Sequence, residues 1–174
     1  MHLRFDTTLT PIGTAFAIMS DAGLHTLDFL PHGTEVSPNF GPNGTRLTHD
    51  PDPLREVFTQ LDEYFEGDRT RFTVPLDLSG YEGFIRTALE EMCEIPYGET
   101  VSYGELAVLA GAPGAARAAG SACARTPISV VIPAHRVVRS DGSLGEYGGR
   151  PEVKRFLLDL ESEVAANLSV VPRV

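Results

Sequence analysis

Residues 102–124 read SYGELAVLAGAPGAARAAGSACA, and this stretch decides how the second half of the chain folds. Ser102 is followed three residues later by Glu105, the capping-box spacing that satisfies two exposed backbone donors at the start of a helix. Gly111 ends that helix, and Pro113 is placed to start a second one that runs to the end of the stretch. Two short helices joined by a tight glycine turn predict a helix-turn-helix, and an ordinary αα-hairpin is the alternative that the same pattern allows.

The segments on either side predict a second half that is mostly helical. A helix is expected over 81–94, where Pro96-Tyr97-Gly98 stops it. The apolar run 128–132 favours a buried strand, and Asp141-Gly142 is typical of a turn. A last helix is expected over 151–164, with three apolar residues facing inward: Phe156, Leu157 and Leu160.

The first half alternates apolar and polar residues in three short segments, around 3–9, 14–20 and 24–29. Turn-forming residues separate them, which predicts antiparallel strands. A proline- and glycine-rich loop at 31–52 precedes a helix at about 53–65, and 73–78 is a short strand or linker. We therefore predict an α/β two-domain chain. A small antiparallel sheet with a helix forms residues 1–79, and a mostly helical domain forms residues 80–174.

The composition is that of a globular protein, since 42% of the 174 residues are hydrophobic and the chain can bury a core without metals or disulfides. No export signal and no apolar run of about 18 residues is present, so the cytoplasm is the expected compartment and no membrane partner is expected. Cys93, Cys123 and the scattered histidines lack the spacing of a disulfide scaffold or a zinc site. No metal and no other cofactor is predicted.

The formal net charge of -10 argues against a protein that coats DNA nonspecifically, because such binding rests on cations that contact phosphate. The charge is uneven, however. Residues 1–79 hold five basic and twelve acidic side chains, whereas the stretch 106–140 contains no acid. Its four arginines predict a local positive face on an acidic protein: Arg117, Arg125, Arg136 and Arg139.

A candidate site lies at Ile132-Pro133-Ala134-His135-Arg136-Val137-Val138. A proline-fixed turn that presents a small residue, a histidine and an arginine in a row is a layout for activating a nucleophile. Alanine cannot act as one. A lone histidine at the end of a strand is commonly structural, so the case for His135 depends on the groups around it.

Five motifs in order carry a resemblance to a known family: Ile95-Pro96-Tyr97-Gly98-Glu99-Thr100, Ser102-Tyr103, Ala115-Ala116-Arg117-Ala118, Pro133-Ala134-His135-Arg136-Val137 and Tyr147-Gly148-Gly149. With them the chain resembles the O6-alkylguanine-DNA alkyltransferases, also called methylated-DNA–protein-cysteine methyltransferases. Their signature is Pro-Cys-His-Arg-Val, with cysteine where this chain has Ala134. The match covers residues 80–164 with equal spacing and the first domain more loosely. It implies that the second domain binds DNA through its helix-turn-helix.

The resemblance assigns several residues to DNA. Arg117 corresponds to an arginine that fills the space left by an extruded base, and Tyr103 to a tyrosine that supports the flipped nucleotide. Tyr147, Gly148 and Gly149 correspond to a loop that forms one wall of the base pocket. Arg125 belongs to the same positive stretch and is expected to contact DNA. The structural alternatives are close helix packing around Arg117, a helix-interface position for Tyr103 and a plain glycine turn.

Other residues are assigned to chemistry. His135 corresponds to a histidine that passes the thiol proton through water toward a glutamate of the last helix, here Glu161. Glu161 could equally cap or solubilise its helix. Arg136 is expected to tie the site turn to its surroundings. Thr126 stands where the family usually has asparagine, a departure expected to loosen the hydrogen bonds that hold the turn.

Ala134 leaves three interpretations. The chain belongs with the alkyltransferase-like proteins, which recognise and flip O6-alkylguanine and pass it to nucleotide-excision repair; or it is a methyltransferase inactivated by a Cys-to-Ala change at 134; or it reacts through Cys123. The third ranks last, because a displaced thiol would lack the His135 relay. We expect a monomeric DNA-repair protein whose partners are duplex DNA with O6-alkylguanine and damage-recognition proteins of nucleotide-excision repair.

Overall fold

The computed structural model describes residues 2–34, 36, 41 and 44–170, and the chain divides into two compact units. The first unit contains the residues up to Gly80 together with Pro127–Ser129, and the second contains Tyr81–Thr126 and the residues from Val130 onward. None of the described helices is long and apolar enough to cross a membrane. The predicted α/β two-domain fold is confirmed: a sheet dominates the first unit and helices dominate the second.

The first unit is built on a four-stranded sheet in the order β3-β2-β1-β4. Its strands are β1 (Arg4–Thr10), β2 (Gly13–Met19), β3 (Leu24–Leu30) and β4 (Thr48–His49), and helix α1 (Arg55–Glu66) follows. β1, β2 and β3 pair antiparallel as predicted, whereas β4 pairs parallel to β1. β4 was not predicted because it is only two residues long within the proline-rich 31–52. Residues 35, 37–40, 42 and 43 of that predicted loop lie outside the described residues.

Alternation along the strands gives the first unit its core. Phe5 of β1 and Phe16 of β2 are diagonal neighbours on the paired strands, with tilted rings whose centroids are 5.8 Å apart. Leu3, Ile18 and Leu47 complete this cluster of buried residues. The periodicity of two that predicts the strands therefore also selects the side chains that hold them together.

The second unit has three helices and two short strands before its last helix, besides one 3-10 turn at Ala134–Arg136. They are α2 (Gly83–Glu94), β5 (Val101–Ser102), α3 (Tyr103–Leu109), α4 (Ala116–Ala124) and β6 (Val137–Val138); α5 (Pro151–Val170) is the last helix. α2, α3 and α4 contact one another, so the predicted helix pair packs on a third helix. The capping box of α3 is confirmed. The Glu105 amide donates to Ser102 Oγ at 3.1 Å, and the Ser102 amide donates to Glu105 Oε2 at 2.6 Å.

The strand predicted at 128–132 is wrong. Its residues form no strand but single bridges, at Ile128, Ser129 and Ile132, and Ile128 bridges to Leu27 of β3. Pro127 and Pro133 bracket the segment and have no amide to donate to a ladder. Val130 then takes a positive φ of 71°, which turns the chain out of the extended conformation. The strand in this part of the chain is instead β6, which pairs parallel to β5.

The predicted inner face of the last helix needs one correction. Leu157 is fully buried, but Phe156 is 41% exposed and Leu160 is half-buried. The buried residues of α5 are Val153, Lys154, Leu157 and Glu161. Phe156 was expected to face inward because it is apolar. The fold instead buries Lys154 and Glu161, because their hydrogen-bond partners lie on that side of the helix.

A buried carboxylate holds the end of the first unit. Asp77 Oδ2 accepts the hydroxyl of Ser20 at 2.5 Å, and Asp77 Oδ1 accepts the hydroxyl of Ser79 at 2.6 Å. Hydrogen bonds from these two serines lower the pKa of Asp77 below its ordinary value of 3.8, against the effect of burial. The carboxylate thus links the turn before β3 to Ser79, near the end of the segment that runs up to Gly80.

Replacing Asp77 with asparagine is expected to lower the free energy of unfolding by about 2 kcal/mol at neutral pH, because the serine hydroxyls lose a charged acceptor. The folded-state pKa of Asp77 lies below its unfolded value. The charged carboxylate therefore stabilises the fold fully above pH 3.8, and this advantage is lost as the pH falls below it. Urea unfolding across that range measures the effect. Asp62→Asn, on the exposed side of α1, is the matched control, and equal stability of the two variants at neutral pH would contradict the prediction.

Candidate functional site

The candidate site is centred on a single 3-10 turn, Ala134–Arg136, between Pro133 and β6. The Ala134 amide donates to the Ile132 carbonyl at 2.8 Å, and the Arg136 amide donates to the Pro133 carbonyl at 2.9 Å. The side chains of all three turn residues are buried. A turn that delivers an alanine, a histidine and an arginine to the interior demands internal partners for the two polar groups.

Glu161 of α5 supplies those partners. Its Oε1 accepts His135 Nε2 at 2.7 Å and Arg136 Nη2 at 3.0 Å. Its Oε2 accepts Arg136 Nε at 2.8 Å and the amide of Gly98 at 3.1 Å. Arg136 Nη1 donates further to the Ile95 carbonyl at 2.6 Å. The buried carboxylate therefore joins α5, the site turn and the loop after α2, and the expected structural role of Arg136 is confirmed.

The protonation states of His135 and Glu161 follow from this geometry. Burial alone would raise the pKa of Glu161, but hydrogen bonds from His135 and Arg136 outweigh it and lower the pKa to about 2. Burial also lowers the pKa of His135, although its hydrogen bond with Glu161 opposes the shift. At neutral pH a neutral imidazole thus faces a carboxylate. Since a carboxylate only accepts, Nε2 carries the proton and Nδ1 carries the lone pair.

Lys154 is a site residue that the sequence analysis missed. Its Nζ donates to the Val137 carbonyl at 2.6 Å and lies 5.8 Å from the centroid of the Tyr103 ring. The side chain is fully buried, which lowers its pKa to about 8. The sequence did contain a signal for its burial, because Lys154 lies between Val153 and Leu157 on the buried face of α5.

Tyr103 lies at the start of α3, where the capping box fixes the helix. Burial raises the pKa of its hydroxyl. Gly145 packs against it so closely that a Cβ there would stand 2.6 Å from the tyrosine oxygen, and Gly145 also has a φ of +71°. Tyr103, Lys154 and Val137 therefore form a second connected group beside the His135–Glu161 pair.

Arg117 and Arg125 belong to α4 and its C-terminal cap, and both side chains are exposed. Ala119 and Ala122, on the opposite side of the helix, are fully buried. The small alanines therefore allow close helix packing on one side of α4, which was the structural alternative for this sequence. Arg117, on the other side, faces solvent. Arg139 is exposed as well, whereas Arg136 is buried and does not contribute to the predicted positive face.

The loop before α5 contains the remaining predicted residues. Tyr147 is half-buried, and Gly148 and Gly149 are exposed with φ values of 55° and 74°. The Tyr147 carbonyl accepts the Arg150 amide at 2.9 Å, which closes the loop immediately before the helix. Thr126 also bonds locally, because its hydroxyl faces the Ala122 carbonyl of α4 at 3.4 Å and not the site turn.

Cys123 of α4 is the cysteine considered above as a nucleophile. Its Sγ lies 3.7 Å from the sulfur of Met92, and burial raises the pKa of the thiol to about 11. A thiol with this pKa is almost wholly protonated at neutral pH, and the thiolate is the reactive form. The environment of Cys123 therefore suits a packing residue.

Both units match known protein families. Residues 3–78 match the model of the 6-O-methylguanine DNA methyltransferase ribonuclease-like domain, and residues 83–163 match the model of its DNA binding domain. The methylated-DNA–protein-cysteine methyltransferase of Mycolicibacterium paratuberculosis is 40% identical over 159 residues, which cover 91% of this chain and 92% of that protein.

Two solved structures agree over the same length. The Mycobacterium tuberculosis O6-methylguanine methyltransferase superposes with a TM-score of 0.82 at 40% identity, covering 97% of this chain and 98% of that one. The M. tuberculosis OGT in complex with DNA gives a TM-score of 0.80 at 39% identity over 94% of each chain. Since sequence and fold agree across both units, the chain belongs to the O6-methylguanine-DNA methyltransferase family.

Proposed function

We propose that this chain recognises O6-alkylguanine in duplex DNA, extrudes the base from the helix and holds it without accepting the alkyl group. The observation that carries the proposal is an alanine at the first position of the turn whose histidine is paired with a buried glutamate. His135 and Glu161 form their hydrogen-bonded pair, yet the residue that begins the same turn ends in a methyl group. Alkyl transfer to the protein requires a nucleophilic atom at bonding distance from the alkyl carbon, and Ala134 has none.

DNA binding is supported by the family and by the surface of the second unit. The DNA-binding-domain model covers residues 83–163, and a relative of the same fold was solved with DNA. Arg117, Arg125 and Arg139 are exposed within a stretch that contains no acid. Exposed arginines of this kind supply the cations that contact phosphate. Arg117 enters the stack in this proposal, and Tyr103 with the loop 147–149 surrounds the extruded base.

Membership of the alkyltransferase-like subgroup, with transfer of the lesion to nucleotide-excision repair, rests on Ala134 alone. The relatives that match most of the chain are cysteine methyltransferases. The subgroup is therefore one part of the proposal that a direct test of chemistry must decide.

The second candidate function is alkyl transfer to a protein cysteine, the activity named for the relatives. It is favoured by the intact pairing of His135 with Glu161, which is the relay that a thiol at position 134 would use. In the present sequence it would need Cys93 or Cys123. The raised pKa of Cys123 opposes that route, and Cys93 Sγ faces the Leu89 carbonyl of its own helix at 3.4 Å.

The first test of lesion recognition is selectivity. Duplex DNA with one O6-methylguanine is expected to bind more tightly than the same duplex with guanine, because phosphate contacts alone do not distinguish the two. Fluorescence anisotropy at a series of salt concentrations measures both affinities. Equal affinity for the two duplexes at every salt concentration would sink lesion recognition.

Arg117→Ala is expected to weaken lesion binding by about tenfold or more, since the extruded base would leave an unfilled gap in the stack. A 2-aminopurine beside the lesion should also lose its fluorescence increase. Arg155→Ala, which removes an exposed arginine from α5, is the matched control for lost charge. If both variants behave alike, Arg117 acts only through its charge and is not an intercalating residue.

Position 134 separates recognition from transfer. The unmodified protein is expected to gain no methyl mass after incubation with O6-methylguanine DNA, whereas Ala134→Cys is expected to gain one methyl group per molecule and stop. Peptide mass spectrometry locates any adduct. An adduct on Cys123 or Cys93 of the unmodified protein would overturn the proposal. An Ala134→Cys variant that binds the lesion but stays unmodified would show that the His135–Glu161 pair does not serve this position.

A further inference from the structure

Arg139 is an exposed arginine that lies next to Tyr103 across the β5–β6 ladder. Ser102, the last residue of β5, pairs in parallel with Val138, the last residue of β6. The next residues along the two strands are Tyr103 and Arg139. Neighbouring strands lie about 4.8 Å apart, so the two backbones are close at this point. The register therefore brings an exposed guanidinium to the tyrosine that supports the extruded base in the proposal above.

The backbone of Arg139 is held on both sides by a closed turn. Its amide donates to the Ser143 carbonyl at 2.9 Å, and its carbonyl accepts the Gly142 amide at 2.9 Å. Gly142 has a φ of 82°, a conformation that favours glycine and lets the turn close. The guanidinium is therefore presented from a fixed backbone, and the entropy lost when it binds an anion is confined to its own side chain.

The side chain of Arg139 is available to an external anion. Within the described ranges, its guanidinium has no hydrogen-bond or ion-pair partner. The nearest acid in the sequence is Asp141, and its Oδ1 accepts the Ser143 amide at 2.9 Å. Arg150, further along the same loop, instead pairs with Glu152 at 3.3 Å. Arg139 thus differs from this arginine in having no internal acid that would compete with DNA.

The electrostatic field beside Tyr103 includes two cations. Burial raises the pKa of Tyr103, and the charge of Arg139 opposes that shift. Burial lowers the pKa of Lys154 to about 8, and repulsion from Arg139 adds to the shift, whereas the exposed Glu146 acts on both residues with the opposite sign. Lys154 is fully buried and bonded to the Val137 carbonyl, so Arg139 is the cation of the two that can reach an anion at the surface.

We propose that Arg139 binds a phosphate that flanks the extruded nucleotide and thereby favours the flipped conformation of the DNA. The proposal rests on the lesion recognition proposed above and names the DNA group that this cation contacts. Extrusion rotates a nucleotide by about 180° about its backbone, which moves the flanking phosphates together with it. An arginine beside Tyr103 meets such a phosphate once the base has arrived there. Arg117 acts inside the base stack in this scheme, whereas Arg139 acts on the backbone outside it.

The first experiment compares two duplexes. A contact that forms in only one of two states shifts the equilibrium toward that state. Arg139→Ala is therefore expected to weaken binding of the O6-methylguanine duplex by about tenfold and binding of the guanine duplex by about twofold or less. Arg139→Lys, which keeps the charge but loses the forked donor, is expected to lie between the two proteins. Arg155→Ala is the matched control and should change both affinities equally little.

Salt dependence and stability complete this comparison. Anisotropy at a series of salt concentrations gives the slope of log affinity against log salt. Arg139→Ala is expected to reduce that slope by about one for the lesion duplex, because one phosphate contact is lost. Urea unfolding should show unchanged stability, since the side chain is exposed and the turn is held by backbone hydrogen bonds.

The second experiment identifies the phosphate. A methylphosphonate, in which a methyl group replaces one charged oxygen, is placed in turn at each phosphate near the lesion. At the phosphate that Arg139 contacts, it is expected to weaken binding of the unmodified protein by about tenfold. It should have no further effect on Arg139→Ala, because the two changes remove the same contact. Arg155→Ala should respond to every methylphosphonate as the unmodified protein does.

The outcomes separate this inference from the proposed function. Equal affinity of the unmodified protein for the two duplexes refutes lesion recognition, and the inference falls with it. Lesion selectivity together with an equal loss on both duplexes in Arg139→Ala overturns the inference alone, because Arg139 would then be an ordinary phosphate contact. Losses from Arg139→Ala and from the methylphosphonate that add at every position also overturn it. A loss confined to the lesion duplex and coupled to one flanking phosphate supports it.

Discussion

One buried carboxylate ties three separate parts of the second unit together. Glu161 is fully buried and receives four hydrogen bonds from three different residues. A charge in that position is tolerable only because every acceptor direction is used and a guanidinium lies against it. Gly98 is part of the same requirement, since a Cβ there would stand 2.8 Å from Ala165 of α5 and the loop could not reach the carboxylate. The site turn, the last helix and the loop after α2 are consequently one arrangement that forms or fails together.

The sequence predicted best what depends on local pattern. The three long strands follow from alternation between turn residues, and α3 follows from a capping box whose two hydrogen bonds form as expected. The sequence predicted least where the conformation of a segment depends on a partner that is distant in the chain. β5 and β6 are two residues each and exist only because they pair with one another. The run 128–132 has the composition of a strand, but flanking prolines and the backbone of Val130 prevent one.

The candidate site shows the same division. No local signal pairs His135 with Glu161, which lies 26 residues further along the chain, so their association came from the family resemblance and not from spacing. Lys154 was missed because a lysine on a helix is usually read as solvated, whereas the Val137 carbonyl and the Tyr103 ring make its burial possible. Pattern alone finds which residues turn inward. The polar partners that make an inward charge stable become visible only in the fold.

Val130 carries a consequence for how the site turn comes into being. A β-branched residue at a φ of 71° is disfavoured in any isolated peptide, yet here it is 1% exposed and held in place. A synthetic peptide spanning the signature sequence would therefore populate other conformations and would not present His135 as the protein does. The turn is a product of the completed domain. The surrounding core sets its geometry, and a change in that core can alter the site turn without changing any residue of the motif.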